Sequence, residues 1–249
     1  MPPRFAAAIR GRLPVGSRSD SIRKDFIEET YEVIEAIDND DPVLMCEELG
    51  DVMLQTVFHA DIEREAGRFT VEDVLDGITD KLIHRHPHVF GDVKADTSEK
   101  VLDNWDKIKK KEKGRDSTTA SMKSIPPALP ALMRAQKIGK YAAKAGFDFP
   151  DAESAFGKIH EETAEVAELI GGDDRDRLEE ELGDLLFAVV NVCRKTGIDA
   201  EYALGRANEK FLRRFSHVED DVCASGKKIS DLEMETLDSI WDRNKASER

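Results

Sequence analysis

Two short acidic patterns carry the most pointed chemistry in this chain. Glu161-Glu162-Thr163-Ala164-Glu165 is followed by Glu180-Glu181-Leu182-Gly183-Asp184. Within each, two carboxylates stand three residues apart, Glu162 with Glu165 and Glu181 with Asp184, which on a helix places them on one face. Apolar neighbours share those faces: Ile159, Val166 and Leu169 around the first pair, and Leu178, Leu182 and Leu185 around the second. The acids therefore lie at the edge of, or inside, an apolar stripe, and a helical hairpin would bring all four together. Four such carboxylates repel one another and are costly to desolvate. A hard divalent cation removes that cost, and Mg²⁺ is the usual choice when the substrate is a phosphate. Carboxylates on facing helices are a known way to build a metal site in a bundle.

A single Glu-Glu-x-x-Glu on a charged helix is ordinarily a solvated face. Here the pattern occurs twice. Glu28-Glu29-Thr30-Tyr31-Glu32 and Glu47-Glu48-Leu49-Gly50-Asp51 precede the other copy by a constant offset of 133 residues, with no gap across the unit. The repeat reverses the odds and marks two copies of one helical module. Glu29, Glu32, Glu48 and Asp51 are then a second metal site, intact or degenerate. Later matches drift: Lys81 and Arg85 pair with Lys210 and Arg214, and Trp105 and Lys109 pair with Trp241 and Lys245. A metal cluster with Lys and Arg suits a polyphosphate, and Trp offers a π face to a base. His84, His86 and His88 around Pro87 read as a helix-ending turn rather than a zinc site, since no cysteine or fixed scaffold accompanies them. Neither a glycine-rich phosphate loop nor a nucleophile elbow occurs in the sequence, so attack by metal-activated water fits better than a covalent intermediate.

The elements that must position these residues are helices. Apolar residues recur at helical spacing through Ile22–Ile37, Leu44–Ile62, Asp73–Arg85 and Leu102–Lys113, and again through 131–144, 152–169, 175–196, 200–223 and 232–245. Asp38-Asn39-Asp40-Asp41-Pro42 reads as a stop, a turn and a new start. The Ser/Thr-rich and Pro-rich stretch 114–130 reads as a linker between an N-terminal module, 1–113, and a C-terminal module, 131–249. The expected fold is all-α, two tandem helical-bundle modules. Composition agrees: of 249 residues, 36% are charged and only 6% aromatic, which favours exposed helices over a β-sandwich.

The net charge of −15 makes the chain a poor general binder of nucleic-acid backbone or anionic membrane. No apolar run long enough to span a bilayer occurs, and the N-terminal arginines precede no apolar leader stretch. Three widely spaced cysteines, Cys46, Cys193 and Cys223, point to a reduced, cytoplasmic setting. No nucleic-acid partner and no membrane partner are expected.

Several of these residues, with others, resemble the MazG family of nucleoside triphosphate pyrophosphohydrolases. The resemblance runs through Glu28–Val33, Arg85–Phe90, Leu129–Ile138, Glu181–Phe187 and Ala207–Phe211, and covers nearly the whole chain from Ser21. It implies an all-α dimer of two-module chains and Mg²⁺-dependent cleavage of nucleoside triphosphates to monophosphate and pyrophosphate, with the C-terminal module the active one. Carried over, the catalytic and metal residues are Glu162, Glu165, Glu181 and Asp184. The nucleotide contacts are Lys158, Glu161, Arg177, Glu180, Lys210, Arg214, Trp241 and Lys245.

One stretch departs from the family pattern. A Cys-Pro-Trp-Asp motif followed by Gln-Thr is usual before the first helix, whereas residues 11–20 read GRLPVGSRSD. One permitted coding string for Leu13–Asp20, CTG CCC GTG GGA TCG CGA TCA GAC, gives Cys-Pro-Trp-Asp-Arg-Asp-Gln when read one nucleotide later. We state a local frameshift as a hypothesis; gene codons incompatible with that frame would end it. Two other functional readings stand beside the leading one. The chain is alternatively a non-catalytic helical module that binds nucleotides or a protein and dimerises, or a narrower phosphohydrolase of an alarmone or of phosphoribosyl-ATP.

Overall fold

The computed structural model describes residues 19–90 and 117–247. The chain divides into two compact units, residues 1–112 and 113–249. Among the described residues all regular structure is helical and no strand occurs. The reading of Leu102–Lys113 as a helix, with Trp105 and Lys109, falls outside the described residues, as does most of the departing stretch 11–20.

In the N-terminal unit, α1 (Arg23–Asp38) and α2 (Pro42–Glu65) form an antiparallel hairpin. The acidic turn between them works as its residues predict. Asp40 takes the left-handed conformation at φ 52, and the Asp41 carboxylate accepts from the Val43 and Leu44 amides at 3.0 Å each. Pro42 then fills the first helical position, where no amide hydrogen is needed. Ile22, Phe58 and Ile62 make a small buried cluster, with Leu54 and Val57 packed against it. Helix α3 (Val71–Arg85) starts at a reciprocal cap: Thr70 Oγ1 accepts from the Asp73 amide, and Asp73 accepts from the Thr70 amide. It ends at His86, whose Nδ1 lies 2.8 Å from the Leu82 carbonyl oxygen, before the short helix α4 (Pro87–Phe90). The helix end at His86 agrees with the helix-ending reading of His84 and His86.

In the C-terminal unit, residues 118–123 of the stretch read as a linker form a short helix, α5 (Thr118–Lys123), capped by Ser117. Its Ser121 and the following Ile125 are buried, so this stretch packs as part of the unit. Helices α6 (Ala131–Lys144), α7 (Ala152–Leu169), α8 (Arg175–Lys195), α9 (Ala200–Ala224) and α10 (Met234–Ser247) follow, with a 3₁₀ turn at Ile229–Asp231. Helices α7 and α8 form the counterpart of the α1–α2 hairpin, and α6 lies along α8. Gly171, at φ 85, turns the chain between α7 and α8, where a side chain would be strained. Asp174 then caps α8 by accepting from the Arg177 amide at 3.1 Å. Buried Gln136 ties α6 to the α8–α9 junction: its Nε2 donates to the Ile198 carbonyl and its Oε1 accepts from the Ala200 amide.

Candidate active site

Antiparallel pairing of α7 with α8 brings the acids of the two patterns face to face. Oxygens of Glu162, Glu165 and Glu181 lie within 4.8 Å of one another. Glu162 is 4% exposed, an unusual place for a carboxylate, and Glu165 and Glu181 are half-buried. The fourth predicted acid, Asp184, is exposed and stands on the wall of the adjoining cavity, outside that triad. Burial, followed by the charges of Glu181 and Glu162, pushes the Glu165 carboxyl above its ordinary range. This donor set fits a hard divalent cation, because crowded, partly buried carboxylate oxygens are what such a cation takes as ligands.

Two cations already lean on the triad. Lys158 Nζ lies 2.7 Å from Glu161 Oε1 and 2.8 Å from Glu162 Oε1, and these bonds hold its ammonium above its usual range. Arg177 Nε is 3.8 Å from Glu181 Oε1. Lys158 and Glu161 thus sit at the cluster, while Glu180 is exposed on α8 beside it.

A cavity of about 760 Å³ opens next to the triad, within the range of about 300–1,000 Å³ usual for small-molecule sites. Lys158, Glu162 and Asp184 line it on one side, and Phe147, Phe149 and Phe187 supply an aromatic wall. Sequence reasoning missed these phenylalanines. The signal in the sequence was that Phe147-Asp148-Phe149-Pro150 is too apolar for a plain loop; in the structure Phe147 is 84% exposed. A network fixes the polar part of the wall. Arg194 donates to both carboxylate oxygens of Asp148 and, from Nε and Nη2, to Asn191 Oδ1. Lys195 Nζ adds bonds to Asp148 Oδ2 at 3.3 Å and to the Phe149 carbonyl at 2.8 Å. The Arg194 bonds, opposed by burial and aided by Lys195, lower the Asp148 carboxyl from 3.8 to about 2. Gly139 of α6 permits this packing, since a Cβ there would stand 2.9 Å from Arg194 Nε.

The remaining predicted nucleotide contacts lie on α9 and α10, outside the cavity lining. Trp241 is half-buried against Phe211, ring centroids 5.3 Å apart. Lys210 and Lys245 are exposed and Arg214 is half-buried.

The N-terminal hairpin gathers its own acids: oxygens of Glu29, Glu48 and Asp51 lie within 4.8 Å of one another. Glu32 joins them electrostatically; burial and then Glu48 raise its carboxyl, and burial foremost raises that of Glu29. At the offset of 133, however, Asp25 stands in place of Lys158 and Leu44 in place of Arg177. A cavity of about 290 Å³ in this unit is lined by Phe26, Thr56, His59, Ala60, Phe69 and Val74, none of them a cluster carboxylate.

A tandem all-α protein, whose repeated hairpins each gather partly buried carboxylates and one of which adjoins a ligand-sized cavity, is the class that the geometry defines. The family model of the MazG nucleotide pyrophosphohydrolase domain matches residues 18–90 and 151–219, covering both hairpins and starting near the end of the departing stretch. The chain is 45% identical over 224 residues to the nucleoside triphosphate pyrophosphohydrolase of Escherichia coli (strain K12), spanning 89% of this chain and 85% of that protein. It is 43% identical over 229 residues to the nucleoside triphosphate pyrophosphohydrolase/pyrophosphatase MazG of Thermotoga maritima, spanning 92% and 87%. It also matches a Bacillus subtilis protein, YabN, at 44% identity, over 92% of this chain but 47% of that one. The chain belongs to the MazG family of nucleotide pyrophosphohydrolases.

Proposed function

We propose that the C-terminal module hydrolyses nucleoside triphosphates, ribo- and deoxyribo-, to nucleoside monophosphate and pyrophosphate with Mg²⁺. The observation that carries this reading is the shared wall: Lys158, Glu162 and Asp184 face the cavity, and Glu162 is also a member of the acid triad. Glu162, Glu165, Glu181 and Asp184 would hold the cation. When bound, it supplies positive charge to the phosphates and acidifies water for attack. Lys158 and Arg177 turn from their present carboxylate partners toward phosphate oxygens, with Glu161 and Glu180 keeping them placed. The phenylalanine wall receives base and sugar by stacking and burial. Lys210, Arg214 and Lys245 supply further positive charge, and Trp241 offers a second aromatic face.

The protein acts as a homodimer. Leu182, Leu186 and Val189 recur on α8 at helical spacing and are exposed, as are Leu204, Phe211 and Phe215 on α9. Such stripes support association of like chains about a two-fold axis. Among the described residues no helix is long and apolar enough to cross a membrane. Three free cysteines favour a cytoplasmic setting.

The test is a panel of ribo- and deoxyribonucleoside triphosphates with and without Mg²⁺, products identified. Monophosphate plus pyrophosphate, formed only with Mg²⁺, is expected. Diphosphate plus orthophosphate would move the cut to the β–γ bond. No turnover with any nucleotide would leave a binding module.

A further inference from the structure

The large cavity of the C-terminal unit has a second polar end. Lys158, Glu162 and Asp184 line it beside the acid triad, whereas Asp148, Asn191 and Arg194 line it farther along α8. Asp184 and Asn191 stand seven residues apart on that helix, about two turns. They therefore share a face and are separated by about 10 Å along the axis. Phe187, part of the aromatic wall, and Ala188, a small buried side chain, lie between them. That separation suits a nucleotide with its phosphates at the acids and its base near Asn191.

The hydrogen-bond acceptors at this second end are spent. Asp148 Oδ1 accepts from the Phe149 amide at 2.8 Å and from Arg194 Nη2. Asp148 Oδ2 accepts from Arg194 Nη1 at 3.2 Å and from Lys195 Nζ at 3.3 Å. Asn191 Oδ1 accepts from Arg194 Nε at 3.3 Å and Nη2 at 3.2 Å. Gly139 of α6 closes over that oxygen, since a Cβ there would stand 3.2 Å from it. Each oxygen has two donors, which is its capacity. The Asn191 amide cannot be turned over, because Arg194 offers only N–H groups and would then face another donor. Asn191 Nδ2 spends one hydrogen on the Phe187 carbonyl at 3.3 Å and keeps its second. A buried side chain, 8% exposed, thus has a donor and no acceptor left to give.

We propose that Asn191 determines base specificity: its Nδ2 donates to a carbonyl oxygen on the edge of the base. The site then favours nucleotides with a keto group there, as in uracil, thymine, hypoxanthine and guanine, over the amino group of cytosine or adenine. This inference rests on the base occupying the cavity, as in the proposed function. An amino group in the same place sets donor against donor and leaves both without the partners water gave them. Arg194 is a positioning residue that acts through Asn191, holding its amide in the donating sense.

The test compares kcat/KM for Mg²⁺-dependent pyrophosphate release from UTP against CTP and from ITP against ATP. Within each pair the bases differ only in the keto or amino group and the ring nitrogen beside it. The keto partner should be favoured about tenfold in both pairs. Asn191→Leu should bring both ratios near one. Asn191→Asp keeps the shape and the Arg194 contacts but replaces the donor with an acceptor, and should reverse both ratios. The wild-type ratios and the two variants are separate readings, so a variant that misfolds leaves the test standing. Wild-type ratios near one or favouring the amino partner, or a preference that both variants keep, would overturn the proposal and leave the pyrophosphohydrolase reading intact. No release from any of the four nucleotides would overturn that reading, and this one with it.

Discussion

The two hairpins share helix registers and carboxylate positions but differ in what surrounds the acids. In α7–α8, Glu162 and Glu181 each have a cationic neighbour, Lys158 and Arg177, and the cluster adjoins a cavity of about 760 Å³. In α1–α2 the corresponding positions are Asp25 and Leu44, and Gln55 occupies ground that Ala188 leaves apolar. On the proposed function, cations placed to exchange a carboxylate for a phosphate, beside a cavity of ligand size, are what would suit one of the two hairpins to a triphosphate. The duplicated scaffold thus retains its acids and varies a few positions around them.

That contrast breaks most sharply at the acids themselves. Glu165→Gln should lower Mg²⁺-dependent turnover by roughly 10³-fold, and Glu32→Gln should leave it within about twofold. Steady-state rates on the same nucleotide check both. A smaller effect is expected of the cations. Lys158→Met should weaken turnover about 10²-fold, chiefly through lost transition-state charge, while Asp25→Met should be silent in the same assay. Phe149→Ala should raise KM about tenfold with kcat little changed, since it removes stacking shared by ground and transition states. Trp241→Ala in parallel shows whether α10 also contacts the base; an equal KM change would move the base toward Trp241.

The smallest effect concerns stability. Asp148→Asn leaves the largely buried Arg194 side chain without its carboxylate and should cost about 2 kcal/mol in chemical denaturation. The Asp148 carboxyl is held below its unfolded value, so its contribution is present above pH 3.8 and is lost as pH falls through about 2. Wild type should therefore lose more stability than the variant over that interval. Glu29, Glu32 and Glu165 act with the opposite sign. Their raised carboxyls disfavour the folded state at neutral pH, and that penalty eases on acidification, until they are protonated in both states. Protons likewise compete with a cation at Glu165 at a higher pH than at a free carboxylate.

The helices were legible because their periodicity and caps agree: 131–144 and 152–169 match the observed bounds, and the Asp-rich turn before Pro42 behaves as its residues require. The acid pairs were legible because the repeat displays them twice. Their grouping was less so. Spacing places Asp184 on the same face as Glu181, but the hairpin's packing leaves it on the cavity wall, a matter of side-chain reach that spacing does not contain. The stretch 114–130 reads as a linker because its Ser, Thr and Pro resemble turn residues; Ser117 caps a helix and Ser121 is buried in it. Phe147, Phe149 and Gln55 escaped notice because their significance lies in tertiary neighbours: a wall built from a loop and α8, and an amide bonded to Glu29 of the other helix.

The central claim is that one hairpin of the pair carries the reaction. Pyrophosphate release from a nucleoside triphosphate should be measured for Glu162→Gln and Glu29→Gln chains side by side, both checked for native helicity. The account predicts that Glu162→Gln abolishes Mg²⁺-dependent release and that Glu29→Gln retains it. Retention in the first with loss in the second would place the reaction in the N-terminal module and contradict the account.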